Sequence, residues 1–249
     1  MFLIKKTTEE TSDDTYLYYY YCDQYKEAIE AFEGGYDLSK SKGFYDDFEN
    51  LQKLLEEFKT LVGNAENKGK TEREKAKSID INSFEEEQRA DELFYNAIGY
   101  FSYRQFTYKS LFFIAFTAYE NRLHELSRLI DSFIISPIIL PKLHCHVKKY
   151  QEYLESNLTG FKFNEYPDLK FYTDVRNAFH HRNALFEPYP KFEEWLNNQQ
   201  GITFQPHDGI NQIVILNSEF IVNYIKLVKT VLNALTTKAR DLQPVKAPK

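Results

Sequence analysis

Apolar side chains recur along this chain mostly at helical spacing, in long stretches with few interruptions. Phe48, Leu51, Leu55 and Phe58 follow at three- and four-residue steps, which places them on one face of a helix from about 44 to 62. Upstream, Asp13-Asp14-Thr15 caps a helix through the tyrosine-rich segment to about Phe32, where Gly34-Gly35 stops it. From Phe84 the helical pattern continues to about Ile134, with a break expected near Arg104 to Thr107. Ser136-Pro137 and Pro141 punctuate the chain before another helix from about Lys142 to Ser156. A further helix is expected from Tyr166 or Leu169 to Phe186, because the residue ahead of Pro188 avoids helical backbone.

The period then changes. Ile202-Thr203-Phe204-Gln205 and Gln212-Ile213-Val214-Ile215-Leu216 flank Pro206-His207-Asp208-Gly209, which reads as a short β-hairpin. Asn217-Ser218 caps a last amphipathic helix, from about Glu219 to Ala239. The predicted class is all-α, a helical bundle with a small hairpin before the last helix. The scarcity of chain breakers, with 9 Gly and 8 Pro in 249 residues, supports long helices over a sandwich or barrel. No internal repeat is visible. Residues 63–83 carry Lys68, Lys70, Arg73, Glu74, Lys75 and Lys77 with few apolar positions, which reads as a solvated connection or as a basic loop touching an RNA backbone. The expected organisation is an N-terminal helical extension with charged linker over residues 1–83, its first fifteen residues frayed. A helical domain follows over 84–240, and a flexible tail over 241–249.

Net charge is −6 with histidines neutral, a balance that disfavours non-specific nucleic-acid binding yet permits a local basic site. Cys22 and Cys145 form no disulfide framework, and free thiols suit a reducing compartment. No basic-then-apolar leader pattern follows Met1, and the longest apolar run, Leu111 to Phe116, is far below the ~20 residues that span a bilayer. The expected setting is the cytoplasm, with no membrane partner.

The most specific chemistry sits in Val175-Arg176-Asn177-Ala178-Phe179-His180-His181-Arg182-Asn183. On a helix, Phe171, Tyr172, Val175, Ala178, Phe179, Leu185 and Phe186 fall on one side as a core stripe. Arg176 and His180 are spaced i to i+4, as are Asn177 and His181, and all four lie on the polar side. An imidazole can take a proton from a ribose 2′-OH or return one to a leaving 5′-oxygen. A guanidinium can stabilise charge on the phosphoryl oxygens. Asn177 can orient His181 or bind a phosphate oxygen. This chemistry requires no metal. Arg182 projects toward the apolar stripe and needs a carboxylate there, with Glu120 and Glu125 the candidates. The bland alternative is a polar helix face that packs on a partner through His and Asn.

The word Arg176-Asn177-Ala178-Phe179-His180-His181 resembles the signature of the HEPN superfamily, an arginine followed four to six residues later by histidine, often with asparagine after the arginine. Ala118-Tyr119-Glu120-Asn121-Arg122-Leu123 suits the earlier helix of that family, which bears a polar residue in an apolar setting. The similarity covers about 84 to 239. It implies a metal-independent endoribonuclease in which the 2′-OH attacks the adjacent phosphate and leaves a 2′,3′-cyclic end. It further implies a homodimer whose two motif helices share one cleft, and a prokaryotic toxin–antitoxin or anti-phage setting with RNA as substrate. By the same resemblance Arg176 would bind the scissile phosphate, His181 would act as acid or base, and Asn177 would position. Glu120 or Asn121 would support, and His180 could replace His181. The chain has Asn183 where toxins silenced by tyrosine adenylylation carry tyrosine, which argues against that form of antitoxin. The alternatives are a catalytically silent HEPN-type binding module that dimerises through the motif helix, and a plain helical scaffold.

Other features suggest less. His144-Cys145-His146 with Cys22 lacks the spacing of a metal site, so no metal or other cofactor is expected. The tyrosines between 16 and 25 could stack bases, but in a bundle they more often pack a core or a dimer. Phosphate loops, nucleophile elbows and zinc-protease motifs are missing from the sequence.

Overall fold

The computed structural model describes residues 12–34, 47–142, 146–181, 185–186, 190–207 and 210–244. The expectations for the first eleven residues, for the tail beyond 244, and for His144, Cys145, Arg182 and Asn183 fall outside them. Seven α-helices are described: α1 (Ser12–Gly34), α2 (Asp47–Lys77), α3 (Phe84–Phe133), α4 (Val147–Asn157), α5 (Asp168–His181), α6 (Pro190–Asn198) and α7 (Glu219–Arg240). Three strands, β1 (Leu185–Phe186), β2 (Ile202–His207) and β3 (Ile210–Ile215), form one antiparallel sheet in the order β1-β3-β2. The all-α class expected from the spacing is what the chain adopts, with the hairpin immediately before α7.

The contacts divide the chain into two compact units that do not follow chain order. One contains residues 1–49, 117–167 and 226–249; the other contains 50–116 and 168–225. Residues on either side of position 83 share the second unit.

In the first unit, Tyr25 is buried and its hydroxyl donates to the Ala239 carbonyl at 2.6 Å. Its ring lies 5.2 Å from Phe133, and Arg240 pairs with the buried carboxylate of Glu33. Within the expected tyrosine stretch, Tyr25 is therefore core, while Tyr20 is half in solvent at 50% exposure. Helix α4 begins at Val147, where the His146 ring accepts from Lys148 N at 3.2 Å, later than the spacing suggested. Tyr153 then donates to Asp131 at 2.8 Å.

Three elements of the second unit differ from the sequence-based expectation. Residues 63–77 are helix, not linker: α2 runs to Lys77. Its buried positions there are small, with Val62 and Gly69 buried and Ala65 and Ala76 half-buried, so the stripe carries little hydrophobicity. Ala, Glu, Lys and Arg favour helix, and Lys75 pairs with Glu72 at 3.0 Å. Second, α3 is continuous through Arg104 to Thr107. The polar side chains there bind sideways: Arg104 pairs with Glu66 at 2.7 Å. The Gln105 amide donates to the Ile215 carbonyl at 2.6 Å and accepts from Ile215 N at 3.2 Å. Third, the motif helix ends at His181, and Leu185–Phe186 pairs with Asn211 and Gln212 of β3. Pro188 disfavours helical backbone in the residue before it, and the open edge of β3 offers backbone partners. The core stripe assigned to α5 thus loses Leu185 and Phe186 but keeps the rest.

The second unit is built around rings. Phe112, fully buried, lies within 5.2–6.4 Å of Phe116, Tyr172, Phe179, Phe220 and Tyr224, so residues of α3, α5 and α7 meet on it. Phe171 stacks on Trp195 of α6 at 4.8 Å, and Phe192 touches Phe204 of β2 at 5.9 Å. Helix α3 starts with a reciprocal cap in which Glu86 N donates to Ser83 Oγ at 3.2 Å and Ser83 Oγ donates to Glu86 Oε2 at 3.1 Å. Gly201, at φ 82°, turns the chain into β2 where a Cβ would lie 2.4 Å from Asn217 Oδ1. Asn217 in turn accepts from Glu219 N at 2.9 Å, the cap expected for α7.

Two helical glycines give opposite expectations. At Gly69 a Cβ would sit 3.1 Å from Tyr100 Cβ and 3.2 Å from the Ala97 carbonyl, so α2 and α3 approach too closely there for a side chain. At Gly99 a Cβ would meet nothing within 4 Å. In denaturant melts, Gly69→Ala should destabilise by about 1–3 kcal/mol, whereas Gly99→Ala should stabilise by about 0.5–1 kcal/mol. Phe112→Ala should cost about 3–5 kcal/mol.

Candidate functional site

Helix α5 is set by its buried side. Leu169, Phe171, Tyr172, Val175, Ala178 and Phe179 are all buried, and six such positions on one stripe determine which residues are left outside it. The remaining face carries Arg176 and Asn177, half-buried, and His180 and His181, exposed. These four sequence-predicted residues are brought together on one helix of the second unit.

Their mutual contacts differ in detail from the helical-wheel expectation. Asn177 does not orient His181; its Oδ1 accepts from Arg176 Nη1 at 3.2 Å. The Arg176 guanidinium lies over the Phe116 ring at 5.5 Å, so it is held between an amide oxygen and an aromatic face. Such a guanidinium keeps its charge and most of its donors while losing freedom. The two imidazoles bond each other, Nδ1 to Nδ1, at 3.2 Å. One ring must donate and the other accept, so the pair tolerates one added proton and is broken by two. The His180 ring also meets the Phe113 edge, with centroids 6.3 Å apart.

The positive charge of Arg176, one turn earlier, is the main reason His180 protonates less readily than an ordinary imidazole. Partial desolvation and the neighbouring His181 act in the same direction. A depressed value leaves His180 neutral, hence able to accept a proton, over more of the neutral range.

Sequence reasoning missed Lys109. It stands four residues before Phe113 on α3, with Nζ 5.4 Å from the centroid of the Phe179 ring on α5. A lysine in the long apolar run of α3 was the available signal. The other nominated groups are placed otherwise. Glu120 is half-buried and Asn121 exposed, both on the part of α3 that belongs to the first unit. Glu125, the other carboxylate considered for Arg182, accepts from Arg122 at 2.6 Å. Comparison with protein-family profiles, with characterised proteins and with solved structures yields no match.

Among the described residues, no group of three or more His, Cys, Asp and Glu is arranged to hold a metal ion, and no helix is long and apolar enough to cross a membrane. The four motif side chains thus offer a fixed cation, an amide and a proton-exchanging imidazole pair on an accessible surface. That set can bind a phosphate and move a proton.

An NMR titration of the imidazole protons checks the electrostatics. His180 should titrate below the ordinary histidine value, and Arg176→Ala should move its midpoint upward, since a removed cation no longer opposes a second positive charge. Unfolding restores the ordinary value, so the unfolded chain binds more protons between the two pKa values, and this residue contributes less stability as pH falls through that window. An unmoved midpoint in Arg176→Ala would rule out the guanidinium as the cause.

Proposed function

We propose that the protein is a metal-independent endoribonuclease of the HEPN type, cleaving RNA by attack of a ribose 2′-OH on the adjacent phosphate. The observation that carries this reading is the α5 surface, where Arg176 stands one turn from a neutral-leaning His180 that is hydrogen-bonded to His181. Arg176 would bind the scissile phosphate and stabilise charge on its oxygens as the 2′-oxygen bonds to phosphorus. One imidazole would take the 2′-OH proton, and an imidazole carrying a proton would give it to the departing 5′-oxygen, leaving a 2′,3′-cyclic phosphate. Atoms and charge balance without a cofactor.

One helix supplies these groups in a single copy and in mutual contact. In this reading, acid and base on opposite sides of the phosphate come from two copies of α5 facing one cleft, so the working form is a homodimer. A prokaryotic toxin or anti-phage setting, with an antitoxin or activating partner, belongs to the same proposal. His180, kept neutral by the Arg176 charge, is available to accept the proton, and its hydrogen-bonded neighbour His181 would share it or act as the acid.

Purified protein incubated with end-labelled RNA in EDTA tests the reading. Cleavage should leave 2′,3′-cyclic ends, and Arg176→Ala or His181→Ala should reduce the rate by at least about 100-fold with the melting temperature unchanged. The rate should rise with pH through the lowered His180 midpoint, and that limb should shift upward in Arg176→Ala if residual activity is measurable. Folded wild-type dimer that leaves a broad panel of RNAs intact, with dimerisation altered in the same variants, would favour the silent binding module instead.

A further inference from the structure

The second unit also carries a groove that the α5 chemistry does not use. It is an open groove of about 590 Å³ between α2 and α3. Asn64 and Lys68 face it from α2, and Tyr95, Asn96, Gly99 and Tyr103 from α3. The walls are anchored on the chain itself, because Gly69 lets the two helices close on Tyr100 and the Glu66–Arg104 pair ties them at 2.7 Å.

Three features of the lining are unexplained by packing. Gly99 stands mid-helix, where glycine is unfavourable, yet a Cβ there would touch nothing, so no contact within the chain demands it. Tyr95 and Tyr103 flank it four residues to either side, one turn up and one turn down, and remain 71% and 38% exposed. Lys68 is the one charged residue in the lining of a groove on a chain of net charge −6. A bare backbone floor between two rings admits a flat group lying close to the helix. Two asparagine amides offer paired donors and acceptors at its edge, and the ammonium awaits a negative charge. An aliphatic ligand would leave the amides and the lysine unpaired, and a simple anion would leave the tyrosines unused. The combination matches a nucleobase attached to a phosphate, since every base has a face for stacking and an edge for amides.

We infer that the α2–α3 groove binds a nucleobase carrying a phosphate, as a free nucleotide or as one unit of single-stranded RNA. The base lies beside Gly99 and stacks on the ring of Tyr95 or Tyr103, Asn64 and Asn96 address its edge, and Lys68 meets the phosphate. The inference does not depend on cleavage at α5.

The test uses the full-length protein and two probes. Fluorescence anisotropy follows a fluorescein-labelled eight-nucleotide RNA, 2′-O-methylated throughout so that no 2′-OH can react. Saturation-transfer NMR follows AMP, with ribose 5-phosphate as the control lacking a base. Oligonucleotide binding that is lost in Gly99→Leu, without AMP binding, assigns the groove to a strand; AMP binding lost in the same variant assigns it to a free nucleotide, and ribose 5-phosphate should compete poorly with either. Gly99→Leu should fill the floor and weaken binding about 5- to 100-fold, while the melting temperature holds or rises because the position has open space. Tyr95→Ala should weaken it by a similar factor, and Lys68→Ala should lower the salt slope of oligonucleotide binding by about 0.7. AMP binding at the groove, judged by its loss in Gly99→Leu, should persist in Arg176→Ala/His181→Ala, whereas oligonucleotide binding loses there whatever part the α5 surface supplies, so a failed nuclease assay and a failed groove assay are separate results. The proposal is overturned if neither probe binds, or if binding survives Gly99→Leu and Tyr95→Ala. It is likewise overturned if Gly99→Leu changes the oligomeric state while no nucleotide binds, which would make the groove a contact between copies.

Discussion

The packing of rings on Phe112 governs the second unit. This side chain is fully buried, and rings from α5 and α7 close on it from beyond its own helix. Because Tyr172 and Phe179 must both reach it, and lie seven residues apart on α5, the rotation of that helix about its axis has little freedom. Arg176, Asn177, His180 and His181 are outside as a consequence. The presentation of the polar face is therefore a by-product of aromatic close packing, and a change in the core would be felt at the site before any motif residue was altered.

Aromatic rings also hold the charges. Arg176 lies over Phe116, Lys109 over Phe179, and His180 meets the edge of Phe113. A cation on a ring face retains its donors for a ligand, whereas a cation in an ion pair spends them. Arg104 pairs with Glu66 and Arg122 with Glu125 on other elements, while Lys170 pairs with Asp174 earlier on α5 itself. Surface pairs of the last kind contribute little to stability, while the ring-held cations remain available to an anion. An acidic chain can thus keep a small basic surface where its own carboxylates do not neutralise it.

Much of the architecture was legible from spacing because long helices with large apolar residues announce their period. Helices α1, α3 and α7, the caps at Asn217 and the β2–β3 hairpin stand close to where the pattern put them. The extension of α2 was hidden because its inner stripe is made of Val62, Ala65, Gly69 and Ala76, which a hydrophobicity pattern barely registers. Helix α6 was overlooked although Phe192, Trp195 and Leu196 carry the right spacing, since nine residues between prolines and a glycine turn resemble a loop. The apparent interruption at Arg104 to Thr107 was a cluster of lateral anchors, and polarity alone does not distinguish an anchor from a break.

The sequence by itself determined the helical class, the polar face of α5 and which cationic, amide and imidazole groups it carries, because those depend on period and residue type. Tertiary structure decided which neighbours those groups have. Asn177 bonds Arg176 instead of His181, the two histidines bond each other, and Leu185–Phe186 leaves the helix for the edge of β3. It also decided that α2 and α3 close at Gly69 and open beside Gly99, so that one glycine is a contact and the other a vacancy. Local pattern is a property of one segment, whereas bonding partners and grooves arise only when segments distant in sequence meet, and the packing of side chains selects among the meetings that pattern allows.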